Sequence, residues 1–275
     1  MAPFSSYRVK PGKDFRIDDI DPDNSGDWKG RKEEAKVRQI ELTEKLDALQ
    51  EQLYAEGKHK VLVVIQGMDA SGKDGTIRKV FEGINPQGVR VASFKSPSPL
   101  ELSHDYLWRV HQVVPAKGQI VIFNRSHYED VLIVRVHKWI DEKEVQRRLR
   151  QIRDFEQLLA DEGTTILKFH LRISKEEQKK RFIERIETPE KNWKFNPGDL
   201  GERTLWKDYM NAYEDAIRET STEAAPWYVV PADHEWYRDL LITSVLVDTL
   251  ENFKMTYPKP SEDLTPYKKQ LEEEK

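Results

Sequence analysis

The sequence predicts an α/β fold in which helices cover both faces of a parallel sheet. Apolar runs typical of buried strands alternate along the chain with segments of helical spacing. Two of these runs, 61–65 (VLVVI) and 118–123 (GQIVIF), are almost continuously apolar, as expected for strands that are covered on both faces. A glycine-rich turn at 67–75 (GMDASGKDG) follows the first run and precedes a helical segment. This order of strand, turn and helix is typical of a phosphate-binding site.

The elements can be assigned in order from the hydrophobic periodicity. The first 30 residues are rich in Asp, Pro, Gly and Ser and predict an extended arm. Leucines at 42, 46, 49 and 53 form one apolar stripe on a helix over about 31–56, which packs either on the main domain or on a second subunit. The strands are predicted at 61–65, 88–94, 118–123, 164–173 and 227–230, and the later helices at 141–161, 202–219 and 234–253.

Two further helices are predicted from their capping residues. Ser98 and Glu101 form a capping box with Pro99 at the first helical position, and Ser174 with Glu177 begins the helix after the fourth strand. We expect a single domain over 31–255 and an extended tail over 256–275.

Composition restricts the class of protein. The chain has 275 residues, no cysteine and a net charge of −4, which argues against a general nucleic-acid binder. The N-terminus lacks a signal-like apolar segment, and no apolar run approaches the roughly 18 residues of a membrane span. We therefore expect a cytoplasmic protein without a membrane partner. Residues 58–138 carry twelve Lys and Arg against seven Asp and Glu; this excess is either chance scatter or a basic surface around the glycine-rich turn.

The turn itself supplies the candidate phosphate-binding residues. Gly67 and Gly72 allow backbone N–H groups to turn inward, and Lys73 adds an ammonium group for phosphate oxygens. Asp74 stands where a Mg²⁺-binding hydroxyl is usual, although Thr76 is close. The alternative is an ordinary glycine turn with a solvated lysine. The candidate set is Gly67, Ala70, Ser71, Gly72, Lys73, Asp74 and Gly75, followed by Arg78 and Lys79.

A second group of candidates follows the third predicted strand. Because the carboxyl ends of parallel strands meet at one edge of a sheet, Asn124 and Arg125 should lie near Asp69 and Lys73. Arg125 either bridges phosphate oxygens or forms a structural ion pair. Glu129 and Asp130 are either metal ligands or charges that complement a helix N-terminus.

Taken together, these motifs resemble the polyphosphate kinase 2 family. The resemblance rests on GMDASGKDGTI at 67–77, FNRSHYEDVL at 123–132, WKFNPGDL at 193–200 and APWYVVPADHEWYRD at 225–239. It implies a P-loop kinase-like, thymidylate kinase-like three-layer fold with a helical lid, here around 175–218. It also implies phosphoryl transfer between inorganic polyphosphate and nucleotides with Mg²⁺, for which Mn²⁺ can substitute.

The resemblance also assigns roles to particular residues. It places Asp69 and Lys73 in the active set of the phosphate loop and Asn124 and Arg125 in the second motif, which continues through Glu129 and Asp130; the expected catalytic residues are Asp69, Lys73 and Arg125. Asp69 and Glu129 are the candidate metal ligands, because Mg²⁺ requires oxygen donors. Lys191, Trp193 and Lys194 fall in the lid, where they would close over phosphates or a base; alternatively the aromatic side chains there simply pin a surface turn.

One departure from the family pattern suggests a subgroup. Many members have FDRSWYNR where this chain has Asn124 for Asp and Glu129-Asp130 for Asn-Arg. The pattern resembles the subgroup often called class III, which implies that AMP and ADP both serve as acceptors. Adenine nucleotides, with guanine nucleotides as an alternative, and a homo-oligomeric state are expected. The rival functions are an ATP-dependent nucleoside or nucleotide kinase and a nucleotide-sensing module without turnover.

Overall fold

Five parallel strands form one sheet in a computed structural model that describes residues 4–12, 14–26 and 28–274. The strand order is β2-β3-β1-β4-β5, so β1 lies at the centre, with Lys60 opposite both Gln119 and Thr164. The predicted parallel α/β sheet is confirmed. The strands are β1 (Lys60–Gln66), β2 (Val89–Ser93), β3 (Gln119–Asn124), β4 (Thr164–Arg172) and β5 (Trp227–Pro231).

Eleven α-helices occur in the described part of the chain. They are α1 (Lys32–Glu56), α2 (Lys73–Val80), α3 (Pro99–Leu102), α4 (Trp108–His111), α5 (Ile133–Val136), α6 (Glu142–Asp161), α7 (Lys175–Glu187), α8 (Gly198–Thr204), α9 (Trp206–Thr220), α10 (Glu235–Asn252) and α11 (Thr265–Glu273). Ser98 and Ser174 each accept a hydrogen bond from the backbone N–H three residues later, so both predicted caps are confirmed.

The single helix predicted over 202–219 was wrong, because Leu205 separates α8 from α9. Leu205 leaves helical geometry (φ −89°, ψ 18°), and it packs with Trp206 against the hydrophobic core. The Leu205 carbonyl accepts a hydrogen bond from the Tyr209 N–H at 3.0 Å, so a new helix starts directly after the break.

The two faces of the sheet carry separate cores. One face packs on α1 and α10, and its core includes Leu46, Leu53 and Leu241. The other face packs on α6 and α9, with Leu149 and Tyr213 in its core. Leu46 and Leu53 are both 0% exposed, so the leucine stripe of α1 serves packing within the chain.

The N-terminal arm lies against β5, which is an edge strand of the sheet. Val9 donates its backbone N–H to the Trp227 carbonyl at 2.8 Å, and Tyr7 and Ile17 are buried. Residues 1–3, 13 and 27 of the predicted arm, and residue 275 of the tail, lie outside the described residues.

The C-terminal tail differs from the extended segment predicted. It contains the exposed helix α11, which has Pro266 in its first turn, where proline is compatible with a helix, followed by good helix-forming residues. Among the described residues, no helix combines the length and apolar character needed to cross a membrane.

Candidate active site

The glycine-rich turn connects the central strand β1 to α2 at the carboxyl edge of the sheet. Gly67 (φ 154°) and Gly72 (φ 100°) adopt backbone conformations that other residues rarely do. A Cβ atom on Gly67 would lie 2.7 Å from Ser71 Oγ, and one on Gly72 would lie 2.1 Å from Arg238 Nη1. Ala70, with φ 62°, completes the turn. Gly67 is therefore required by space as well as by conformation, because a Cβ atom there would also lie 2.9 Å from the Leu171 carbonyl oxygen, whereas Gly72 is required by its conformation.

Lys73, the first residue of α2, is 9% exposed. Its Nζ donates to the carbonyl oxygens of Gly67 at 2.7 Å and Met68 at 3.1 Å. Burial lowers the pKa of Lys73 to about 8, and the positive charge of Arg125 adds to this effect, while Asp69 opposes it. The side chain is still mostly protonated at neutral pH, and phosphate oxygens can replace its two neutral carbonyl partners.

Arg125, just after β3, faces the glycine-rich turn. Its Nη2 lies 2.6 Å from Asp69 Oδ1, and its Nη1 lies 3.7 Å from Glu129 Oε2. The Arg125 backbone is left-handed (φ 61°), a conformation that is costly for a residue with a Cβ atom and that clusters at functional sites. Burial raises the pKa of Glu129. The predicted catalytic residues Asp69, Lys73 and Arg125 are thus brought together.

The two positions that depart from the expected motifs, Asp74 in the glycine-rich turn and Asn124 after β3, contact each other. Asn124 Nδ2 donates to Asp74 Oδ1 at 2.6 Å. An aspartate at position 124 would instead place two carboxylates side by side, which is unfavourable without a cation between them. The asparagine therefore complements the aspartate that stands in the usual position of a hydroxyl.

Asp130 is not part of this group. Its carboxylate lies 3.6 Å from Arg109 Nη2 and 3.9 Å from Arg148 Nη1, and its carbonyl accepts a hydrogen bond from Arg148. These contacts orient Asp130 toward α4 and α6, so the structure separates it from its neighbour Glu129.

The predicted outer cations lie on the surface. Lys79 pairs with Glu82 at 2.6 Å, and Arg78 is exposed on the same helix. Lys191 forms an ion pair with Glu184.

The aromatic part of the predicted lid is also exposed. Trp193 is 78% exposed, and Lys194 Nζ lies 5.1 Å from the centre of its ring. Within the described residues, Lys191, Trp193 and Lys194 contact the lid segment itself.

Sequence reasoning missed the side chains that enclose the turn from behind. Arg238 of α10 is 1% exposed and lies 2.9 Å from Asp239 and 3.5 Å from the Ser71 carbonyl. On α7, Gln178 donates to the Asp69 carbonyl, and Arg181 donates to the carbonyls of Ala70 and Ser71. One feature of the sequence could have identified them: they are polar residues on the faces of α7 and α10 that are buried, and the starts of both helices were predicted.

The oxygen donors of the site fit a shared Mg²⁺ site. The carboxylates of Asp69, Asp74 and Glu129 all act electrostatically on Lys73. Among the described residues, however, no group of three His, Cys, Asp or Glu side chains could hold a metal alone. Mg²⁺ commonly binds through one or two carboxylates together with substrate phosphates, and this donor set suits that mode.

Comparison with known proteins gives consistent matches along the chain. The family model for polyphosphate kinase 2 matches residues 29–258. The chain is 59% identical over 254 residues to the AMP/ADP-polyphosphate phosphotransferase of Meiothermus ruber, covering 92% of this chain and 95% of that protein. It is 47% identical over 266 residues to the ADP-polyphosphate phosphotransferase of Rhodopseudomonas palustris, covering 90% and 92%. The crystal structure of polyphosphate kinase 2 from Arthrobacter aurescens is similar, with a TM-score of 0.95, 42% identity and coverage of 100% and 98%.

Proposed function

This chain belongs to the polyphosphate kinase 2 family, and from that premise we propose that it transfers phosphoryl groups from inorganic polyphosphate to AMP and ADP. The observation that carries the proposal is the position of Lys73. It is a buried cation whose Nζ donates only to neutral carbonyls of the glycine-rich turn, those of Gly67 and Met68, among the hydrogen bonds of the described residues. The similarity to an AMP/ADP-polyphosphate phosphotransferase supports both acceptors.

The chemistry requires charge neutralisation rather than a strong base. The acceptor is a phosphate oxygen that is already largely ionised near neutral pH. The transition state is loose, so the enzyme must align two anionic chains and stabilise the charge on the moving phosphoryl group. Lys73 and Arg125 supply two cations, and the 2.6 Å contact with Asp69 orients Arg125. Because one phosphoanhydride replaces another, the reaction is reversible.

Mg²⁺ is the proposed cofactor, with Mn²⁺ as a substitute. Asp69 and Glu129 would hold it jointly with the phosphates. When bound, the ion would neutralise phosphate charge and fix the orientation of the two chains.

The two substrates are proposed to approach from different sides. Polyphosphate would extend over the exposed face of α2 past Arg78 and Lys79. The nucleotide, adenine or guanine, would enter from the side of Lys191, Trp193 and Lys194, with the lid around 175–218 closing over it. We also propose a homo-oligomer, in which the exposed Val37 and Ile40 of α1 offer apolar contact area.

A phosphorus NMR time course tests the function directly. Purified protein is incubated with polyphosphate, Mg²⁺ and AMP, and in a parallel sample with ADP, in the absence of ATP. We expect β-phosphate signals of ADP in the first sample and γ-phosphate signals of ATP in the second. If AMP were phosphorylated only after ATP was added, an ATP-dependent kinase would replace this proposal. If nucleotide bound without turnover, the protein would be a sensing module.

A further inference from the structure

Three consecutive carbonyl groups of the glycine-rich turn are held by two side chains of α7. Gln178 Nε2 donates to the Asp69 carbonyl at 2.9 Å, and Arg181 Nη1 donates to the carbonyls of Ala70 and Ser71 at 3.1 Å each. In a planar trans peptide, the C=O and the following N–H point in opposite directions. Holding the Asp69 and Ser71 carbonyls toward α7 therefore directs the N–H groups of Ala70 and Gly72 away from α7.

All three guanidinium nitrogens of Arg181 donate hydrogen bonds to protein groups. Its Nη2 donates to the carbonyls of Ala232 and Asp233 at 2.7 and 3.1 Å, and its Nε donates to Glu177 Oε1 at 2.9 Å. With 11% of its side chain exposed, it ties α7, the turn and the segment after β5 into one unit. Arg181 is therefore a fixed support of the turn rather than a cation for substrate.

Gln178 differs because its second polar atom reaches another element. It is 1% exposed, and its Oε1 accepts a hydrogen bond from Arg203 Nη1 of α8 at 2.9 Å. The same Arg203 atom donates to the Lys175 carbonyl at 2.6 Å. A continuous series of contacts thus runs from α8 through Gln178 to Asp69, whose carboxylate orients Arg125 at 2.6 Å.

We propose that Gln178 is a positioning residue for phosphoryl transfer: it fixes the conformation of the glycine-rich turn and connects it to α8 of the proposed lid. Movement of Arg203 with α8 would reach the Asp69–Arg125 pair through this one amide. The proposal rests on the proposed function where kinetics are measured. It does not depend on that function where amide hydrogen exchange of the turn is measured.

The main variant is Gln178→Leu, which keeps the size and removes both hydrogen bonds. The matched control is Gln39→Leu, because Gln39 is another buried glutamine, bonded through Nε2 to Thr243 Oγ1 at 2.8 Å between α1 and α10. Two quantities are measured on the full chain: kcat and KM with polyphosphate and AMP, and amide hydrogen exchange of residues 67–75.

For Gln178→Leu we expect kcat to fall about 10- to 100-fold with KM values near those of the wild type, as for supports whose loss misplaces reacting groups. Exchange in 67–75 should accelerate, whereas Gln39→Leu should change neither quantity. Equal loop exchange in the two variants, or faster exchange with unchanged kcat, would overturn the proposal. If the wild type formed no nucleotide from polyphosphate, the proposed function would fail, and the exchange comparison would still decide whether Gln178 holds the turn.

The link to α8 is tested at Arg203. Arg203→Leu should reproduce part of the kcat defect and add little to Gln178→Leu, since both changes break the same series of contacts. Arg203→Lys, which keeps a donor, should restore most of the loss. An Arg203→Leu variant with wild-type kcat would remove α8 from this connection.

Discussion

Two buried lysines, Lys73 beside the glycine-rich turn and Lys168 in β4, have very different surroundings. Lys168 is 0% exposed; its Nζ lies 2.5 Å from Glu156 Oε2 and donates to the Tyr128 hydroxyl at 3.0 Å and the Thr220 carbonyl at 2.8 Å. Lys73 donates to two neutral carbonyls of its own turn. A buried cation that is neutralised by a close carboxylate supports the fold, whereas one held by neutral carbonyls keeps its charge available for an anion.

The two lysines are connected through one short segment. Arg125 is followed two residues later by His127, whose Nε2 lies 3.2 Å from Glu156 Oε1. Tyr128 also donates to that oxygen, at 2.9 Å. The buried cluster of Lys168, Glu156, His127 and Tyr128 therefore anchors the segment that presents Arg125. Replacing Lys168 should mainly affect stability, whereas replacing Lys73 should mainly affect activity.

The largest effect is expected from Lys168→Met, which leaves Glu156 buried without its cation. We expect the free energy of unfolding to fall by about 3–5 kcal/mol, because an unpaired buried charge is costly. Urea denaturation at pH 7 measures this change.

The control is the double variant Lys168→Met with Glu156→Leu. Removing both charges should recover most of the lost stability, since apolar groups of similar volume often replace a buried ion pair without loss. A single variant as stable as the wild type would show that Lys168 is not the structural partner in this comparison.

Lys73→Met should have the opposite signature. We expect kcat/KM with polyphosphate and AMP to fall about 10²- to 10³-fold, the usual cost of removing one transition-state contact. The free energy of unfolding at pH 7 should rise by about 1–3 kcal/mol, because the folded state no longer buries a charge that desolvation disfavours. Steady-state kinetics and urea denaturation on the same preparation test both expectations. Loss of activity together with loss of stability would place Lys73 in the same class as Lys168.

How much of this could be read from the sequence differs between the two lysines. Lys73 was predicted because the strand, the glycine spacing and the helix around it are local features of the chain. Lys168 was not singled out, since its partners Glu156, Tyr128 and Thr220 are 12, 40 and 52 residues away. Its position within the apolar strand 164–173 was the one local sign that it is buried.

The same distinction explains the rest of the site. The strands and most helices followed from periodicity and caps, and the Asp69–Arg125 contact followed from the rule that the carboxyl ends of parallel strands meet. The roles of Gln178 and Arg238 depend on how α7 and α10 pack against the turn, and packing across more than 100 residues leaves no local pattern.

The pH dependence of kcat/KM sharpens the comparison further. Because the pKa of Lys73 is lowered to about 8, kcat/KM should decline as the pH rises through that value and the lysine loses its proton. Phosphate acceptors have their second pKa near 6 and do not change charge there. In Lys73→Arg the guanidinium stays protonated, so the decline near pH 8 should disappear even if the overall rate is lower.

The sign of the corresponding stability effect is also fixed. The folded-state pKa lies below the ordinary value of 10.5, so between about pH 8 and 10.5 the unfolded chain binds more protons. The cost of burying Lys73 therefore shrinks as the pH rises through this window.

A wild-type kcat/KM profile that was flat from pH 7 to 9 would contradict a protonated Lys73 in the reaction.

The smallest effect is expected at the contact between Asn124 and Asp74, and it tests whether the carboxylates around Lys73 are metal ligands or merely its counter-charges. Asn124→Asp places two carboxylates together and should lower the free energy of unfolding by about 1 kcal/mol without Mg²⁺. If Mg²⁺ binds there, adding it should reverse the loss, so the Mg²⁺-induced rise in melting temperature should be larger for the variant than for the wild type. The exchanged variant, Asn124→Asp with Asp74→Asn, keeps the charge count and serves as the control. Equal Mg²⁺-induced shifts in melting temperature in the wild type and both variants would mean that the carboxylates around Lys73 are its counter-charges and do not bind Mg²⁺. Lys73 would then differ from Lys168 only in how far away its carboxylates lie.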